Sequence, residues 1–357
     1  MDIKIEIKKS PGSLIEIEGE ISVSDFEAER VSVVAKLGNS LKIDGFRPGN
    51  APEKILIEKV GEAAFLEEMA ESVLQKAYSQ IIRDNKIEAI GKPEVTITKI
   101  AKNNPLGFKI KTVVLPEIKL ADWKLLAEKI MSVKEDISVV DKEVDEVVNN
   151  IRRSRANTSQ KKEDSLEGEN SLNELILPEI TDEFVKTLGD FKDISDFKEK
   201  ITQNIKLDKE MKNKEKKRIE TIEKIIEKSE LDVPEMLIKS EKGKMLAEMK
   251  ASVSQMGLKW EDYLSHLKKT EEEILSGWNE DAKKRVLFGL ILRELAIKED
   301  IKVPDEELEA EVDKITAHYK AHGQEIERAR VRDYAFGVLR NEKVFEMLEL
   351  SRLNLDN

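Results

Sequence analysis

The spacing of apolar residues changes near residue 116, and this change constrains the fold more than any other feature of the sequence. Before it, Ile3, Ile5 and Ile7 alternate with charged residues, which is typical of strands with one buried face. Beyond it, apolar residues recur every three or four positions, as they do along one face of a helix. We therefore predict an α+β N-terminal domain followed by a mostly α-helical C-terminal domain with helical arms.

The composition indicates how the helical part is shaped. Charged residues make up 38% of the 357 residues and aromatic residues only 5%, whereas typical globular chains contain about 25% charged residues. A chain with this many charges must keep a large surface in contact with water. We therefore expect the helical part to be elongated rather than compact.

Within the first 115 residues, the patterns predict a small domain in which strands flank two helices. The alternation of the first strand is repeated at residues 15–21, and two more strands are predicted at residues 95–100 and 108–115. Helical spacing runs through residues 26–41 and again through residues 61–84. This order of elements predicts a small α+β domain with strands at both ends of the segment and two helices between them.

Charge and cysteine usage exclude several classes of function. The first 115 residues carry 17 basic and 18 acidic side chains, so nearly all of the net charge of −12 belongs to the rest of the chain. The net negative charge argues against a protein whose whole surface binds DNA or an anionic membrane.

The absence of cysteine excludes disulfides and thiolate metal sites. We find neither a secretory signal nor a run of ~20 apolar residues, and we expect a cytoplasmic protein.

We divide the chain into four segments. The α+β domain occupies residues 1–115, and linker strands with a first helix occupy residues 116–151. A polar connector occupies residues 152–174, because that stretch has too few apolar residues to bury a core of its own. An α-helical domain occupies residues 175–357, and its repeated Val-Pro steps between helices indicate stacked hairpins in one architecture.

One segment, residues 43–52, has a composition that does not suit a helix or a strand. Between two predicted helices, residues 43–52 contain two glycines and two prolines, which indicates a tight and well-defined turn. In its middle stand Phe46, which can supply buried contact area, and Arg47, a planar donor for carboxylate or phosphate groups. Chemistry alone gives equal weight to an interface anchor and to a loop whose Phe46 packs back onto its own core.

The loop string Gly45-Phe46-Arg47-Pro48-Gly49 closely resembles the ribosome-docking loop of the trigger factor family, the bacterial nascent-chain chaperones. A second stretch, residues 177–185 with the sequence Leu-Pro-Glu-Ile-Thr-Asp-Glu-Phe-Val, is similar to the start of the C-terminal domain of that family. The two stretches occur in the family's order, and the resemblance extends over nearly the whole chain. The sequence is therefore identified as a member of this family.

The resemblance implies that Phe46 and Arg47 dock beside the exit of the peptide tunnel on the large ribosomal subunit, against a ribosomal protein and nearby rRNA. Family loops often carry lysines after the arginine, whereas Pro48 and Asn50 stand here, and Lys42 and Lys54 flank the loop. Fewer positive charges predict weaker salt-dependent docking. The expected ribosome-binding residues are Lys42, Gly45, Phe46, Arg47, Pro48, Gly49, Asn50 and Lys54.

Family members usually contain a peptidyl-prolyl isomerase domain of roughly a hundred residues with an aromatic-lined proline pocket. No aromatic residue occurs between residues 152 and 177, so such a pocket cannot be built there. We infer that the isomerase domain is absent and that the protein is not an enzyme. Two alternatives remain open: an isomerase with an unrecognised active site, and a helical holding chaperone or adaptor that no longer binds ribosomes.

These observations together predict an ATP-independent chaperone that shields nascent and unfolded polypeptides in a helical cradle. No glycine-rich phosphate loop occurs, and the pair His318 and His322 lacks the glutamate and third ligand of a zinc site, so we expect no cofactor and no metal. Flexible methionines suit promiscuous binding of apolar peptides. The resemblance also implies weak self-association, as a homodimer, away from the ribosome. Candidate client-binding residues are Met236, Met245, Met249 and Met256.

Overall fold

The structure, a computed structural model, describes residues 1–47, 49–163, 177–321, 323 and 325–350, and for residues 157–163 the backbone alone. The chain forms two compact units. The first unit combines Met1–Ala121 with Lys228–Leu295, and the second combines Asp122–Glu227 with Ala296–Asn357. A four-stranded antiparallel sheet lies near the N-terminus, and the rest of the described chain is mostly helical, as the sequence predicts.

The N-terminal part of the first unit is a sheet with three helices. The strands occur in the order β1-β2-β4-β3, and every neighbouring pair is antiparallel. Alternating side chains of β2 and β4 face the helices and form the core together with the large apolar residues of α1 and α3. The elements are β1 (Ile3–Ser10), β2 (Leu14–Ile21), α1 (Val23–Ser40), α2 (Glu53–Val60), α3 (Glu62–Asp84), β3 (Ala89–Lys99) and β4 (Leu106–Val114).

Local chemistry accounts for the ends of these elements. The Ser22 hydroxyl accepts a hydrogen bond from the backbone N–H of Asp25 and caps α1, which begins at Val23, three residues before the predicted start at residue 26. Asn103 takes a positive φ of 58° in the turn between β3 and β4. The sequence patterns missed the short α2, because its consecutive apolar residues Ile55, Leu56 and Ile57 show no helical period over eight residues.

The helices of residues 228–295 pack with the N-terminal domain and not only with other helices. The carboxylate of Asp232 accepts a hydrogen bond of 2.9 Å from the backbone N–H of Gly12, and the Arg293 guanidinium pairs with Glu88 at 2.6 Å. The predicted undivided helical architecture of residues 175–357 is therefore split between the two units. The helices are α8 (Glu235–Gln255), α9 (Trp260–Leu267), α10 (Glu271–Gly277) and α11 (Asn279–Lys298), the last of which ends in the second unit.

The second unit is helical in its described residues. One apolar cluster forms around Val148 and Phe197, and another joins the last two helices through Leu308, Val312 and Val331. The helices are α4 (Trp123–Met131), α5 (Asp141–Glu163), α6 (Asp182–Lys186), α7 (Ile194–Lys228), α12 (Asp305–Ala321) and α13 (Arg328–Leu350).

An arginine with two acidic partners joins α7 to α13. The Arg218 guanidinium is 2.6 Å from both Glu342 and Glu349, and it lies over the ring of Phe345 at 4.9 Å. Burial disfavours its charge, but the hydrogen bonds to both carboxylates outweigh this effect and raise the pKa of Arg218. The same hydrogen bonds lower the pKa of Glu342. The sequence patterns do not reveal this cluster, since Arg218 precedes Glu342 and Glu349 by more than 120 residues along the chain.

The first helix extends past residue 151, where the sequence predicts the polar connector to begin. Helix α5 continues to Glu163, because each added residue contributes one more backbone hydrogen bond and polar residues tolerate the helix well. Arg152, expected at the start of the connector, donates a hydrogen bond of 2.7 Å to the carbonyl oxygen of Pro178. The remaining connector residues, 164–174, lie outside the described residues, as do residues 175 and 176.

Candidate functional site

The candidate loop of residues 41–52 connects α1 to α2 in the N-terminal domain. At its first end, the backbone N–H of Leu41 donates to Leu37 and the side chain of Ile43 packs against the core. At its second end, Ala51 is buried and Pro52 precedes the first turn of α2. Both ends of the loop are therefore attached to the folded core of the domain.

Two successive turns shape the middle of the loop. The backbone N–H of Phe46 donates to Ile43 over 3.1 Å, and that of Asn50 donates to Arg47 over 3.0 Å. Each turn has a glycine with positive φ as its third residue, Gly45 at 87° and Gly49 at 85°. This conformation strongly favours glycine at both positions. The two glycines thus set the path of the backbone on either side of Phe46 and Arg47.

The structure places Phe46 and Arg47 at the exposed face of the loop. Phe46 keeps 39% of its surface accessible, and Arg47 is exposed as well. Phe46 is not one of the residues that form the core of the N-terminal domain. An exposed phenylalanine on a backbone attached at both ends can bind another macromolecule with little loss of conformational entropy, because the loop is already ordered in the free protein.

The other predicted loop residues surround this pair. Lys42, Asn50 and Lys54 are exposed, as are Gly45 and Gly49. Pro48, also predicted to bind the ribosome, lies outside the described residues.

An arginine of α1 holds the start of α2 in place. Arg30 donates hydrogen bonds of 2.6 Å to Glu53 and 3.0 Å to Glu27 and lies over the ring of Phe65 at 5.5 Å. The hydrogen bond to Glu53, opposed by partial burial, raises the pKa of Arg30. This cluster attaches the residue that follows Pro52 to the body of the domain.

The four candidate methionines have different surroundings. Met245 is only 8% exposed and packs in a cluster with Ile238, so little of its side chain is accessible to a client in the folded protein. Met256 is 72% exposed and Met236 is also exposed. Met249 is partly buried. Only part of this set is thus available to an apolar peptide.

Further exposed apolar residues lie on the helices of the second unit. Leu207 and Met211 are exposed four residues apart on α7, and Tyr334 and Val338 are exposed four residues apart on α13. Residues with this spacing lie on one face of a helix. The sequence did not single out these pairs, although an apolar pair in the polar middle of α7 was a visible signal.

The described residues contain no group of three or more histidine, aspartate or glutamate side chains that could hold a metal ion. His318 lies at the end of α12 with its ring 6.2 Å from that of Tyr319, and its candidate partner His322 lies outside the described residues. Among the described helices, none has the combination of length and apolarity that crossing a bilayer requires.

Comparison with protein families gives two matches. The family model described as bacterial trigger factor protein matches residues 3–151. The model of the trigger factor C-terminus matches residues 193–349. The first match includes the candidate loop, and the second includes most of the helices beyond the connector.

Curated relatives agree over the length of the chain. A trigger factor from Agathobacter rectalis is 24% identical over 404 aligned residues, which cover 92% of this chain and 90% of the relative. A trigger factor from Caldicellulosiruptor bescii is 24% identical over 89% of each chain. An alignment of 404 positions is longer than the 357-residue chain, so the relative contains residues that this chain lacks.

A solved structure of a trigger factor chaperone, from work on promiscuous substrate recognition in folding and assembly, shares the fold with a TM-score of 0.61. It is 19% identical and covers 97% of this chain and 99% of its own. The two family models together match most of the sequence, including the loop that carried the first resemblance. The chain therefore belongs to the bacterial trigger factor family and is a chaperone of the trigger factor type.

Proposed function

We propose that this protein docks beside the tunnel exit of the large ribosomal subunit through Phe46 and Arg47. The observation that carries the proposal is the exposure of Phe46 on a loop attached at both ends to the N-terminal domain. Phenylalanine supplies apolar contact area to a ribosomal protein, and arginine supplies a bidentate donor to a carboxylate or an rRNA phosphate. We also place the protein in the cytoplasm, where ribosomes and nascent chains occur.

The distribution of charge supports docking by this end of the chain. The first 115 residues are nearly neutral, whereas the acidic excess lies in the rest. An anionic ribosome repels the acidic part less when the neutral domain approaches first. Lys42 and Lys54, both exposed, add positive charge on either side of the loop.

Sedimentation with ribosomes tests this proposal. We expect the wild type to pellet with large subunits and the double variant Phe46→Ala/Arg47→Ala to stay in the supernatant. Phe336→Ala/Arg330→Ala is the matched control, because it removes a similarly exposed phenylalanine and an exposed arginine from α13. Equal pelleting of the loop variant and the wild type would contradict docking through the loop and favour a chaperone or adaptor that no longer uses it.

We further propose that the exposed apolar residues hold nascent and unfolded polypeptides without nucleotide. Candidate contacts are Met236 and Met256 in the first unit and the pairs on α7 and α13 in the second. Single apolar side chains scattered among charges give many weak contacts, which dissociate as the client buries its own apolar surface. We also propose that the protein forms weak homodimers away from the ribosome, partly through the face that carries the loop.

Suppression of aggregation of a denatured protein without ATP tests client holding. We expect the wild type to suppress aggregation and Met256→Asp to weaken suppression while leaving the melting temperature unchanged, since Met256 is exposed. Met245→Asp places a charge in an apolar cluster and should lower the melting temperature. A wild type without effect at molar excess would count against holding.

The proposal includes no proline isomerisation. Only residues 152–192 separate the two family matches, a length well below the roughly hundred residues of the usual isomerase domain. We expect a proline-containing test peptide to isomerise at its spontaneous rate in the presence of the protein. Acceleration above that rate would support the alternative in which the protein is an isomerase with an unrecognised active site.

A further inference from the structure

The sheet of the N-terminal domain has an open edge beside a cavity. Strand β3 is the last strand of the order β1-β2-β4-β3 and pairs only with β4 among the described strands. Each strand of an antiparallel pair directs the N–H and C=O groups of alternate residues away from its partner. In the part of the chain that the structure describes, no backbone group outside β4 bonds to residues 94–99. These groups are free to accept another strand.

A cavity of about 530 Å³ lies along this edge, between β3 and α3. Leu74 and Tyr78 line it from the helix, and Pro93, Val95 and Ile97 line it from the strand. Its volume falls in the range of about 300–1,000 Å³ that is typical of ligand sites. Val95 is 46% exposed although its side chain faces the same side of the sheet as Ile110 of the core. The apolar layer between helix and sheet is thus left open at this edge.

Other features restrict the open part of the edge to one short segment. The register of β3 shifts between Ile90 and Glu94, where Pro93 cannot donate a backbone hydrogen bond. A second shift follows Ile97. Such irregularities normally prevent strands from adding to an edge. They leave the segment around Val95 as the place where an added strand can pair regularly.

One charged residue on the rim indicates what kind of strand fits. Glu71 of α3 is an exposed lining residue of the cavity. Side chains of an extended peptide alternate between two faces. A basic side chain and an apolar side chain two residues apart therefore lie on the same face. Such a peptide can place the apolar side chain in the cavity and the basic one near Glu71.

We propose that residues 94–98 of β3 bind an extended segment of an unfolded polypeptide as a fifth strand, with an apolar side chain of that segment in the cavity and a basic one beside Glu71. The proposal rests on the proposed holding of unfolded chains and names a second kind of contact for it. Backbone hydrogen bonds supply affinity that does not depend on sequence, and the cavity supplies the preference for apolar side chains.

Binding of a short labelled peptide to the full-length protein tests the proposal directly. The probe is an acetylated peptide in which threonine alternates with valine and lysine, so that valine and lysine share one face, and its binding is followed by fluorescence anisotropy. A second peptide carries N-methyl groups on two adjacent central residues, so that neither of its edges can pair. We expect the first peptide to bind and to slow hydrogen exchange of the amides of residues 94–98, and the methylated peptide to bind at least about tenfold more weakly.

Variants of residues that line the cavity test its contribution to peptide binding. Val95→Lys fills the mouth of the cavity with a charged chain and should weaken peptide binding about tenfold. Val31→Lys is the matched control, because Val31 is 79% exposed on α1 and distant in sequence from the cavity. Glu71→Gln should lower the affinity for the lysine-containing peptide and leave unchanged the affinity for a version in which threonine replaces lysine.

The outcomes distinguish this proposal from the proposed function. Equal binding of the methylated and unmethylated peptides, or equal affinities of Val95→Lys and wild type, would overturn strand addition. Aggregation suppression and ribosome pelleting by the wild type are measured in parallel. If those succeed while strand addition fails, client holding stands and only this site is wrong. If the peptide binds as expected while suppression fails, the site stands and the holding function falls.

Discussion

The backbone N–H of Gly49 donates a hydrogen bond of 2.8 Å to the carbonyl oxygen of Gly38 in the last turn of α1. A Cβ atom on Gly38 would be 3.5 Å from the Cα atom of Gly49, so the two backbones lie in direct contact. A Cβ atom on Gly49 would be only 2.6 Å from Oδ1 of Asn39. The loop that carries Phe46 is thus attached to the end of α1 by the contact between Gly49 and Gly38.

This contact predicts that Gly49→Ala disrupts the loop. The positive φ of 85° costs an alanine about 1–2 kcal/mol, and the added Cβ also forces the Asn39 side chain to move. We expect weaker ribosome pelleting and a small decrease in melting temperature. Gly337→Ala, at an open position in the interior of α13, is the control and should leave pelleting unchanged. Full pelleting by Gly49→Ala would show that the loop geometry is not needed.

Charge at the loop predicts the effect of Asn50→Lys. Position 50 is exposed, and in the proposed docking a lysine there adds one contact to an rRNA phosphate. We expect tighter binding at low salt, with the slope of log affinity against log salt steeper by about one unit. Asn104→Lys, on the exposed turn between β3 and β4, adds the same charge elsewhere. If both variants behave alike, the loop does not contact phosphate.

The Arg218 cluster predicts a large stability effect far from the loop in sequence. The Arg218 side chain is 12% exposed and bonds to Glu342 and Glu349, so Arg218→Ala leaves two carboxylates without their partner. We expect a loss of about 2 kcal/mol in the free energy of unfolding, below the usual cost for a fully buried pair because Glu342 is half exposed. Lys216→Ala, which removes an exposed ion pair with Glu135, should leave the melting temperature unchanged. Similar melting of all three proteins would contradict this role of Arg218.

The buried carboxylate of Glu29 predicts a pH dependence of stability. Burial alone would raise its pKa, but hydrogen bonds from Lys76 at 2.6 Å and Ser72 at 2.7 Å hold the pKa of Glu29 below its ordinary value of 4.5. A lowered folded-state pKa stabilises the protein above the ordinary pKa, and this contribution is lost as the pH falls through the folded-state value. We expect Glu29→Gln to unfold more easily than wild type at about pH 7, by about 1–2 kcal/mol.

Thermal unfolding of both proteins across a pH series checks this expectation. The difference between wild type and Glu29→Gln should shrink as the pH falls below 4.5, because protonated Glu29 no longer attracts Lys76. Lys76→Ala removes the hydrogen bond and charge that oppose burial, so it should destabilise the protein at about pH 7 and raise the pKa of Glu29 relative to wild type. A difference that stays constant down to about pH 3 would mean that the charge of Glu29 is not what stabilises the domain.

Much of the N-terminal domain follows from local patterns. The alternation of Ile3, Ile5 and Ile7 predicts β1, and the spacing of apolar residues through residues 61–84 predicts α3. The loop of Phe46 is recognisable because its turns need glycine at two defined positions. The short α2 was not predictable, since eight residues are too few for a helical period to emerge.

The helical part was predictable as helix but not in its packing. The four candidate methionines lie within one stretch of sequence, yet Met245 is buried and Met256 is exposed. The spacing of apolar residues identifies one face of a helix, but it does not tell which neighbouring element covers that face. The extension of α5 beyond residue 151 is accompanied by the contact of Arg152 with Pro178, which lies 26 residues further along the chain.

The sequence by itself determined the element types, the glycine turns around Phe46 and the membership of the trigger factor family, because these depend on residues that are close in the chain. Only the tertiary structure decided that residues 228–295 join the N-terminal domain, that Arg218 meets Glu342, and that β3 leaves an open edge beside a cavity. These relationships arise from contacts between distant residues. Their free energy comes from burial and charge pairing in three dimensions, which no local pattern records.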